Sequence, residues 1–258
     1  MIFLNPYLPP AGMAKLYSSH ESRSETNPRL ATYYERLEGS ETERFFDECV
    51  EKMGRCTSLN SHSLLDVGAG NGHFLWRAKQ KGWTVRGIEP SEEDARLARE
   101  KFQIEIISQD FENYSPHETF DCITMWDFIE HVPNPKEILE KANALLKPGG
   151  LLLVATPDHT SLINFLADLI YKISFLTIPK PLEVLFVREH ILYFTDSTIR
   201  KVVRESGFEI VEEVKTGTDI DRYRTSWLFN VTAKVLLILS KWFHRENRII
   251  IFARKRQE

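Results

Sequence analysis

LLDVGAGNGHF, residues 64–74, places three glycines two positions apart directly after a short apolar run. Glycine loses more conformational freedom on folding than any other residue, so Gly68, Gly70 and Gly72 together are costly to order. Glycines between a buried strand and the start of a helix let the backbone approach a ligand closely. This stretch therefore predicts a strand, a ligand-binding loop and a helix in succession.

The composition is that of an ordinary globular protein. The chain has 258 residues, of which 42% are hydrophobic and 27% charged, and its net charge is −4. This balance disfavours a general nucleic-acid binder, and we expect no nucleic-acid partner. Cys49, Cys56 and Cys122 form no CxxC pair. The cysteines therefore disfavour a disulfide scaffold and favour a reducing, cytoplasmic environment.

Neither the first residues nor the late apolar stretch predicts a secretory or membrane-spanning segment. The stretch MIFLNPYLPPAG lacks a basic region and a long apolar core, so we expect no signal peptide. Residues 227–243 are apolar, but polar residues interrupt them short of the ~20 mostly apolar residues that a spanning helix needs. Peripheral contact of this stretch with a membrane stays open.

From residue 63 onward, short apolar runs alternate with longer amphipathic ones. The strand-like runs are 64–67, 83–89, 104–108, 120–125, 151–157 and 248–255, and the helix-like runs between them are 73–82, 91–102 and 135–146. Ser91 suits a helix N-cap, and KPGG at 147–150 suits a turn. Strands that alternate with helices predict βαβ units and a parallel sheet.

Two further features flank this pattern. Residues 1–60 predict an N-terminal helical strap or lid, because ATYYERL and TERFFDECVEKM repeat apolar residues at helical spacing. Residues 61–258 form the main domain, with apolar insertions at about 158–190 and 216–244 that we expect to pack on each other as a cap. Between the insertions, a helix ends near Gly207 and a strand follows.

The glycine spacing departs from the dinucleotide-binding pattern G-x-G-x-x-G, since His73 stands where its third glycine is expected. Glu89 ends the next strand about twenty residues on, where a carboxylate can accept both ribose hydroxyls. Asp110 follows the third strand, where it can accept a hydrogen bond from an exocyclic amine. The ends of three strands thus carry polar groups suited to one nucleoside.

Five ordered motifs resemble those of class I S-adenosylmethionine-dependent methyltransferases. They are LLDVGAGNGHF, VRGIEPS, SQDFENY, FDCITMWDFIEHVPNP and LLKPGGLLLVATP. The later segment HILYFTDSTIRKVVRESGFE is similar to the branch that includes ubiquinone-biosynthesis O-methyltransferases. The resemblance implies an α/β, Rossmann-like, mostly parallel seven-stranded sheet with an antiparallel last strand and helices on both faces. It also implies S-adenosyl-L-methionine as cofactor.

The resemblance also assigns the cofactor site residue by residue. Asp66 would hold the glycine loop or contact the amino group, Glu89 would bind the ribose hydroxyls, and Trp126 would flank the methionine end. Asp110 would meet the adenine amine, and the Phe111 backbone would meet the adenine ring nitrogen. The full set is Asp66, Gly68, Ala69, Gly70, Glu89, Pro90, Asp110, Phe111 and Trp126.

The motif WDFIEHV supplies the candidate catalytic residues. Asp127, Glu130 and His131 stand at i, i+3 and i+4, close to one face if a helical turn begins there. We predict Asp127, His131 and His190 as catalytic residues and no resident metal. In some relatives ExxEH at this place is associated with metal, so divalent-metal binding by these residues and Glu130 stays an alternative.

The sequence thus predicts methyl transfer to a small-molecule acceptor, with oxygen as the nucleophile; an apolar or prenylated acceptor stays open. One alternative is methylation of a glycan- or lipid-linked intermediate at nitrogen or carbon. Another is a non-catalytic protein that binds S-adenosylmethionine. A nicotinamide-dependent oxidoreductase is disfavoured by His73 in place of the third glycine. The sequence does not indicate which oligomeric state the protein adopts.

Overall fold

The computed structural model describes residues 2–3, 38–57, 62–175, 177, 185, 190–220 and 227–256. Its strands are β1 (Ile2–Phe3), β2 (Ser63–Val67), β3 (Thr84–Ile88), β4 (Glu105–Ile107), β5 (Phe120–Trp126), β6 (Leu146–Pro157), β7 (Leu192–Tyr193), β8 (Phe208–Thr216) and β9 (Arg248–Lys255). Its α-helices are α1 (Glu41–Cys56), α2 (His73–Gln80), α3 (Glu92–Phe102), α4 (Pro135–Leu145), α5 (Leu162–Ile173), α6 (Asp196–Glu205) and α7 (Trp227–Trp242).

Seven strands form one sheet in the order β4-β3-β2-β5-β6-β9-β8. Strands β2 to β6 are parallel to one another, whereas β9 runs antiparallel to both β6 and β8. The predicted fold class, with its antiparallel last strand, is therefore confirmed. The strand order reverses between β2 and β5, so the carboxyl ends of these two strands flank the crevice where such sheets bind ligands.

Local sequence signals account for several helix starts. The Ser91 hydroxyl accepts a hydrogen bond from the Asp94 backbone N–H at 3.3 Å, which confirms the predicted N-cap of α3. Thr195 and Thr198 form a reciprocal capping box at α6. Pro135 opens α4, where its missing N–H costs nothing.

The KPGG segment is not a turn before the strand, as predicted, but part of β6. Phe120 pairs with Leu146 and Cys122 pairs with Leu151, so β6 carries extra residues opposite β5. Gly150 lies within this irregularity, where an added Cβ would meet the Lys147 carbonyl oxygen at 2.9 Å. The glycines thus allow a bulge inside a continuous strand.

Apolar side chains bury both faces of the sheet in two clusters. One cluster receives helices α4 and α6, and the other receives α1, α2 and α3. The helical contributions to them are Ile138, Leu139, Ile199 and Val203 on one face, and Val50, Met53, Phe74, Leu75, Ala95 and Ala98 on the other. Each large side chain stabilises the fold by about 1.5–3 kcal/mol. Helices on both faces match the prediction.

Helix α1 confirms the predicted helix in TERFFDECVEKM and docks on α2. The Phe46 ring lies edge-on to Phe74, with centroids 5.2 Å apart. The Arg77 guanidinium Nε donates to Asp47 Oδ1 at 2.8 Å. The ATYYERL segment lies outside the described residues, and the division of the chain into a strap and a main domain stays a prediction.

The two insertions each supply one described helix, α5 and α7, and these helices contact each other. This agrees with the expected packing of one insertion on the other. Among the described helices, none is long and apolar enough to cross a membrane.

Candidate functional site

The glycine loop between β2 and α2 is built from left-handed backbone. Gly68, Gly70 and Gly72 have φ of +75°, +51° and +73°. The backbone N–H groups of Gly68 and Ala69 both donate to the Ile88 carbonyl at 2.9 Å, which ties the loop to the end of β3. L-residues with a Cβ rarely adopt these dihedrals, so the loop conformation itself requires glycine.

The space around two of these glycines is filled by the protein itself. A Cβ on Gly68 would lie 2.8 Å from the Phe128 ring, and a Cβ on Gly72 would lie 2.9 Å from the Ala98 Cβ. The glycine pattern therefore reflects tight packing of the loop as well as the ligand approach inferred from sequence.

Glu89 lies beside this loop and is 6% exposed. Its Oε2 accepts a hydrogen bond from the Gly70 N–H at 2.8 Å, and its Oε1 accepts one from the Ser91 N–H at 2.9 Å. The carboxylate thus joins the glycine loop to the start of α3. Its place at the carboxyl end of β3 fits the predicted ribose-binding role, which stays a prediction.

Asp66 lies beneath the loop, 2% exposed. Its Oδ1 accepts a hydrogen bond from the Thr124 hydroxyl on β5 at 2.6 Å. Burial raises the pKa of Asp66 from 3.8 to about 7; the Thr124 hydrogen bond opposes the rise, and the nearby Glu89 charge adds to it. Asp66 thus links β2 to β5 and is a carboxyl whose ionised form is disfavoured by desolvation.

We expect Asp66→Asn to be more stable than the wild type above pH 7. Because the folded-state pKa of Asp66 is raised, its favourable contribution is fully present below about pH 3.8 and is lost as the pH rises through about 7. Asparagine keeps the shape without the charge, so the variant gains about 3–4 kcal/mol at pH 8.5, and the gain shrinks toward pH 4. Urea unfolding across this pH range measures the difference.

The matched control is Asp168→Asn on α5, since the Asp168 side chain is 47% exposed and pairs with Lys172 at the surface. This variant should follow the wild-type pH profile of unfolding free energy. Parallel profiles of Asp66→Asn and wild type would contradict the raised pKa of Asp66.

Pro90, Asp110 and Phe111 follow the ends of β3 and β4. Pro90 and Asp110 are exposed. Asp110 precedes a 3₁₀ turn, Phe111–Asn113, whereas the Phe111 side chain is buried in the core at 1% exposure. The Phe111 side chain is thus structural, which leaves only its backbone for the predicted adenine contact.

Trp126, at the end of β5, packs beneath α1. Its ring lies 5.0 Å from Phe46 and 4.9 Å from Phe74, centroid to centroid. The indole Nε1 is buried without a hydrogen-bond partner in the described structure. Such a donor requires an acceptor beyond the described residues, and a bound cofactor is one such acceptor. It is the one observation at Trp126 that supports its predicted place at the cofactor.

A second group of polar side chains follows the end of β5. One ligand atom each from Glu130, His131 and His190 lies within 4.8 Å of the others. The Thr156 hydroxyl donates to Glu130 Oε2 at 2.9 Å, while Glu130 Oε1 is buried without a hydrogen-bond partner. One carboxylate and two imidazoles are a donor set suited to a divalent cation, so these residues fit such an ion.

Burial changes the pKa values of this group. Burial, together with the nearby His131, His159 and Arg248, lowers the pKa of His190 to about 2. Burial and the negative charge of Asp127 raise the pKa of Glu130 to about 8. His190 is therefore a neutral imidazole near pH 7, which is the form that ligates metals, and the same lowered pKa makes it a weak proton acceptor.

Asp127 does not share a helical turn with Glu130 and His131, so the expected i, i+3, i+4 face is wrong. The turn is a 3₁₀ helix that begins at Ile129, and Asp127 has a φ of +47°. Its Oδ1 instead accepts a hydrogen bond from the Arg248 guanidinium at 2.7 Å. Both charges act on neighbouring residues, since Asp127 raises the pKa of Glu130 and Arg248 lowers the pKa of His190.

The sequence reasoning missed Arg248. It opens β9, and an antiparallel strand starts at the edge where its parallel neighbours end. The predicted antiparallel last strand was therefore the signal that its first residue would reach the site.

These features define the class of the protein. The sheet order, the left-handed glycine loop and the buried carboxylate after β3 are those of a class I S-adenosylmethionine-dependent methyltransferase. Residues 30–213 match the family model of the methyltransferase domain. The chain belongs to this family, and this membership confirms the predicted cofactor, S-adenosylmethionine.

Individual relatives agree with this assignment. The ubiquinone biosynthesis O-methyltransferase of Actinobacillus pleuropneumoniae is 32% identical over 117 residues, 41% of this chain and 50% of that protein. The matched part thus spans about half the length of this curated relative.

Solved structures share the fold. A methyltransferase of Thermotoga maritima has a TM-score of 0.62 at 19% identity, covering 95% of this chain and 100% of that one. The magnesium protoporphyrin IX methyltransferase of Synechocystis, solved with S-adenosylhomocysteine, has a TM-score of 0.61 at 16% identity, covering 91% and 97%.

Proposed function

We propose that this protein transfers a methyl group from S-adenosylmethionine to an oxygen atom of a small-molecule acceptor. The observation that carries the proposal is the convergence of Glu130, His131 and His190 next to the glycine loop. Phe128, whose ring packs on Gly68, precedes this group by two residues. The O-methyltransferase of Actinobacillus pleuropneumoniae named above supports oxygen as the nucleophile.

The cofactor supplies an activated methyl group when bound, so the protein chiefly holds the acceptor in line and removes its proton. Glu130 is buried, whereas His131 and His190 are only partly so. An incoming hydroxyl therefore meets an imidazole first. We assign proton acceptance to His131, and to His190 the orientation of the hydroxyl, because its lowered pKa makes it a weak base. Asp127, held by Arg248, places a negative charge near Glu130 of the same site.

A divalent cation fits this arrangement as an alternative to direct proton acceptance. Glu130, His131 and His190 would hold it, and it would supply a lowered pKa for the acceptor hydroxyl. The prediction that no metal resides here stays untested.

The acceptor is proposed to be apolar outside its reacting hydroxyl. Helix α5 follows the carboxyl end of β6, the edge at which the site lies, and its sequence LINFLADLIYKI is mostly apolar. An apolar ring or chain would be bound there by burial of its surface.

The test is methylation of matched acceptors by the purified protein. A catechol and the corresponding ortho-diamine are incubated with S-adenosylmethionine, and S-adenosylhomocysteine release is measured with and without a chelator. We expect turnover of the catechol, reduced about 100-fold or more in kcat by His131→Ala. The exposed His117→Ala should leave kcat unchanged.

Methylation of the diamine in preference to the catechol would overturn oxygen as the nucleophile. Binding of S-adenosylhomocysteine without turnover of any acceptor in a broad hydroxyl panel would overturn catalysis itself. Loss of turnover on chelation, restored by Mg²⁺, Mn²⁺ or Zn²⁺, would show that the prediction of no resident metal is wrong.

A further inference from the structure

Helix α7 has two apolar sides, and only one of them packs on the protein. On the inner side, Leu237 lies against Gly217, and Ser240 is fully buried. The outer side carries a row of large apolar side chains that are 50–79% exposed: Trp227, Val231, Val235, Ile238 and Trp242. Their spacing of three and four residues places them on one stripe of the helix. Core packing therefore does not explain these residues.

Helix α5 continues this exposed surface. It contacts α7 and presents Phe165, Leu169, Ile170 and Ile173 at 39–68% exposure, followed by Phe175 at 90%. The Arg245 guanidinium lies 5.2 Å above the Phe165 ring, so the segment after α7 meets the α5 stripe there. We call these exposed residues of the two helices the α5–α7 apolar surface. Exposed apolar patches of this kind mark interaction sites.

Helix α7 brings only positive charge to this surface, whereas α5 carries the ion pair of Asp168 with Lys172. Residues 227–245, which are α7 and the turn after it, contain Lys234, Lys241 and Arg245 and no acidic residue, although the whole protein has a net charge of −4. At about 100° per residue, Lys234 and Lys241 fall along one edge of the α7 stripe. The row of apolar side chains is thus bordered by cations.

We propose that the α5–α7 apolar surface binds a bilayer containing anionic phospholipids, with α7 lying in the plane of the interface. Apolar side chains enter the acyl boundary, the lysines meet the headgroups, and Trp227 and Trp242 at the two helix ends suit the interfacial region. A symmetric pair joined through the α7 stripes would bring Lys234 and Lys241 of one copy close to those of the other, which disfavours a second copy as the occupant.

This inference goes beyond methyl transfer and does not depend on it. It assigns the protein to a membrane surface whatever its acceptor. A vesicle-binding measurement therefore stands or fails independently of the acceptor assay.

The test is flotation of the full chain with phosphatidylcholine vesicles, with and without phosphatidylglycerol. We expect the wild type to float with the anionic vesicles. Ile238→Glu should weaken this binding about tenfold or more, because it places a charge where an apolar side chain is buried in lipid. Lys234→Gln combined with Lys241→Gln should weaken binding to anionic vesicles about 30-fold.

The matched control is Leu97→Glu on α3, since Leu97 is 41% exposed and lies outside the α5–α7 apolar surface. This variant should float like the wild type. S-adenosylhomocysteine affinity, unchanged in all variants, shows that they are folded. Absence of wild-type flotation, or equal flotation of Ile238→Glu, overturns the proposal. So does a dimer in sedimentation that Ile238→Glu dissociates, without vesicle binding.

Discussion

We expect Glu89→Ala to weaken S-adenosylhomocysteine binding by about 100-fold or more. A buried carboxylate that accepts two ribose hydroxyls contributes about 1.5–3 kcal/mol per charged hydrogen bond, and alanine removes both. The variant also leaves the Gly70 and Ser91 N–H groups without the acceptor that holds the loop against α3. Calorimetric titration with S-adenosylhomocysteine measures the change in Kd.

Two further variants separate binding from loop structure. Glu89→Gln keeps one acceptor oxygen and should bind S-adenosylhomocysteine with an affinity between those of Glu89→Ala and wild type. Glu100→Ala removes an exposed carboxylate that pairs with Arg96 and should leave the affinity unchanged. Wild-type affinity in a folded Glu89→Ala variant would remove Glu89 from the cofactor site.

Gly72→Ala destabilises the fold by about 3 kcal/mol. Its φ of +73° costs an L-residue about 1–2 kcal/mol, and its Cβ would lie 2.7 Å from Ile104 Cδ1 and 2.9 Å from Ala98 Cβ. The Ile104 methyl group can rotate away, but the Ala98 Cβ moves only with the backbone of α3. Chemical denaturation measures the loss as a lower midpoint at an unchanged slope.

Two other glycines separate these two costs. Gly82 has a φ of +87° with nothing within 4 Å of an added Cβ, so Gly82→Ala should lose only the backbone part, about 1–2 kcal/mol. Gly54 lies inside α1 in open space, so Gly54→Ala should stabilise by about 1 kcal/mol. Equal losses for Gly72→Ala and Gly82→Ala would mean that the packing around Gly72 yields freely.

The chain's periodicity predicts most of the architecture because the signals for strands and helices are local. Alternating apolar runs, the Ser91 cap and the glycine loop each act over a few residues, and the structure confirms each of them. Local signals failed at KPGG, since whether these residues turn or bulge depends on the pairing of β5 with β6. Register between strands is a long-range property.

The candidate site shows the same division. The sequence by itself determined the parts that follow strands directly, Gly68 and Glu89 among them, because parallel strands end at one edge of a sheet. Only the tertiary structure decided that Asp127 pairs with Arg248 and that His190 Nε2 lies 4.0 Å from Glu130 Oε1. It also decided which side of α7 faces solvent. A helix with apolar residues on two sides does not by itself encode which side is buried, and distant residues meet only through the packing of the whole chain.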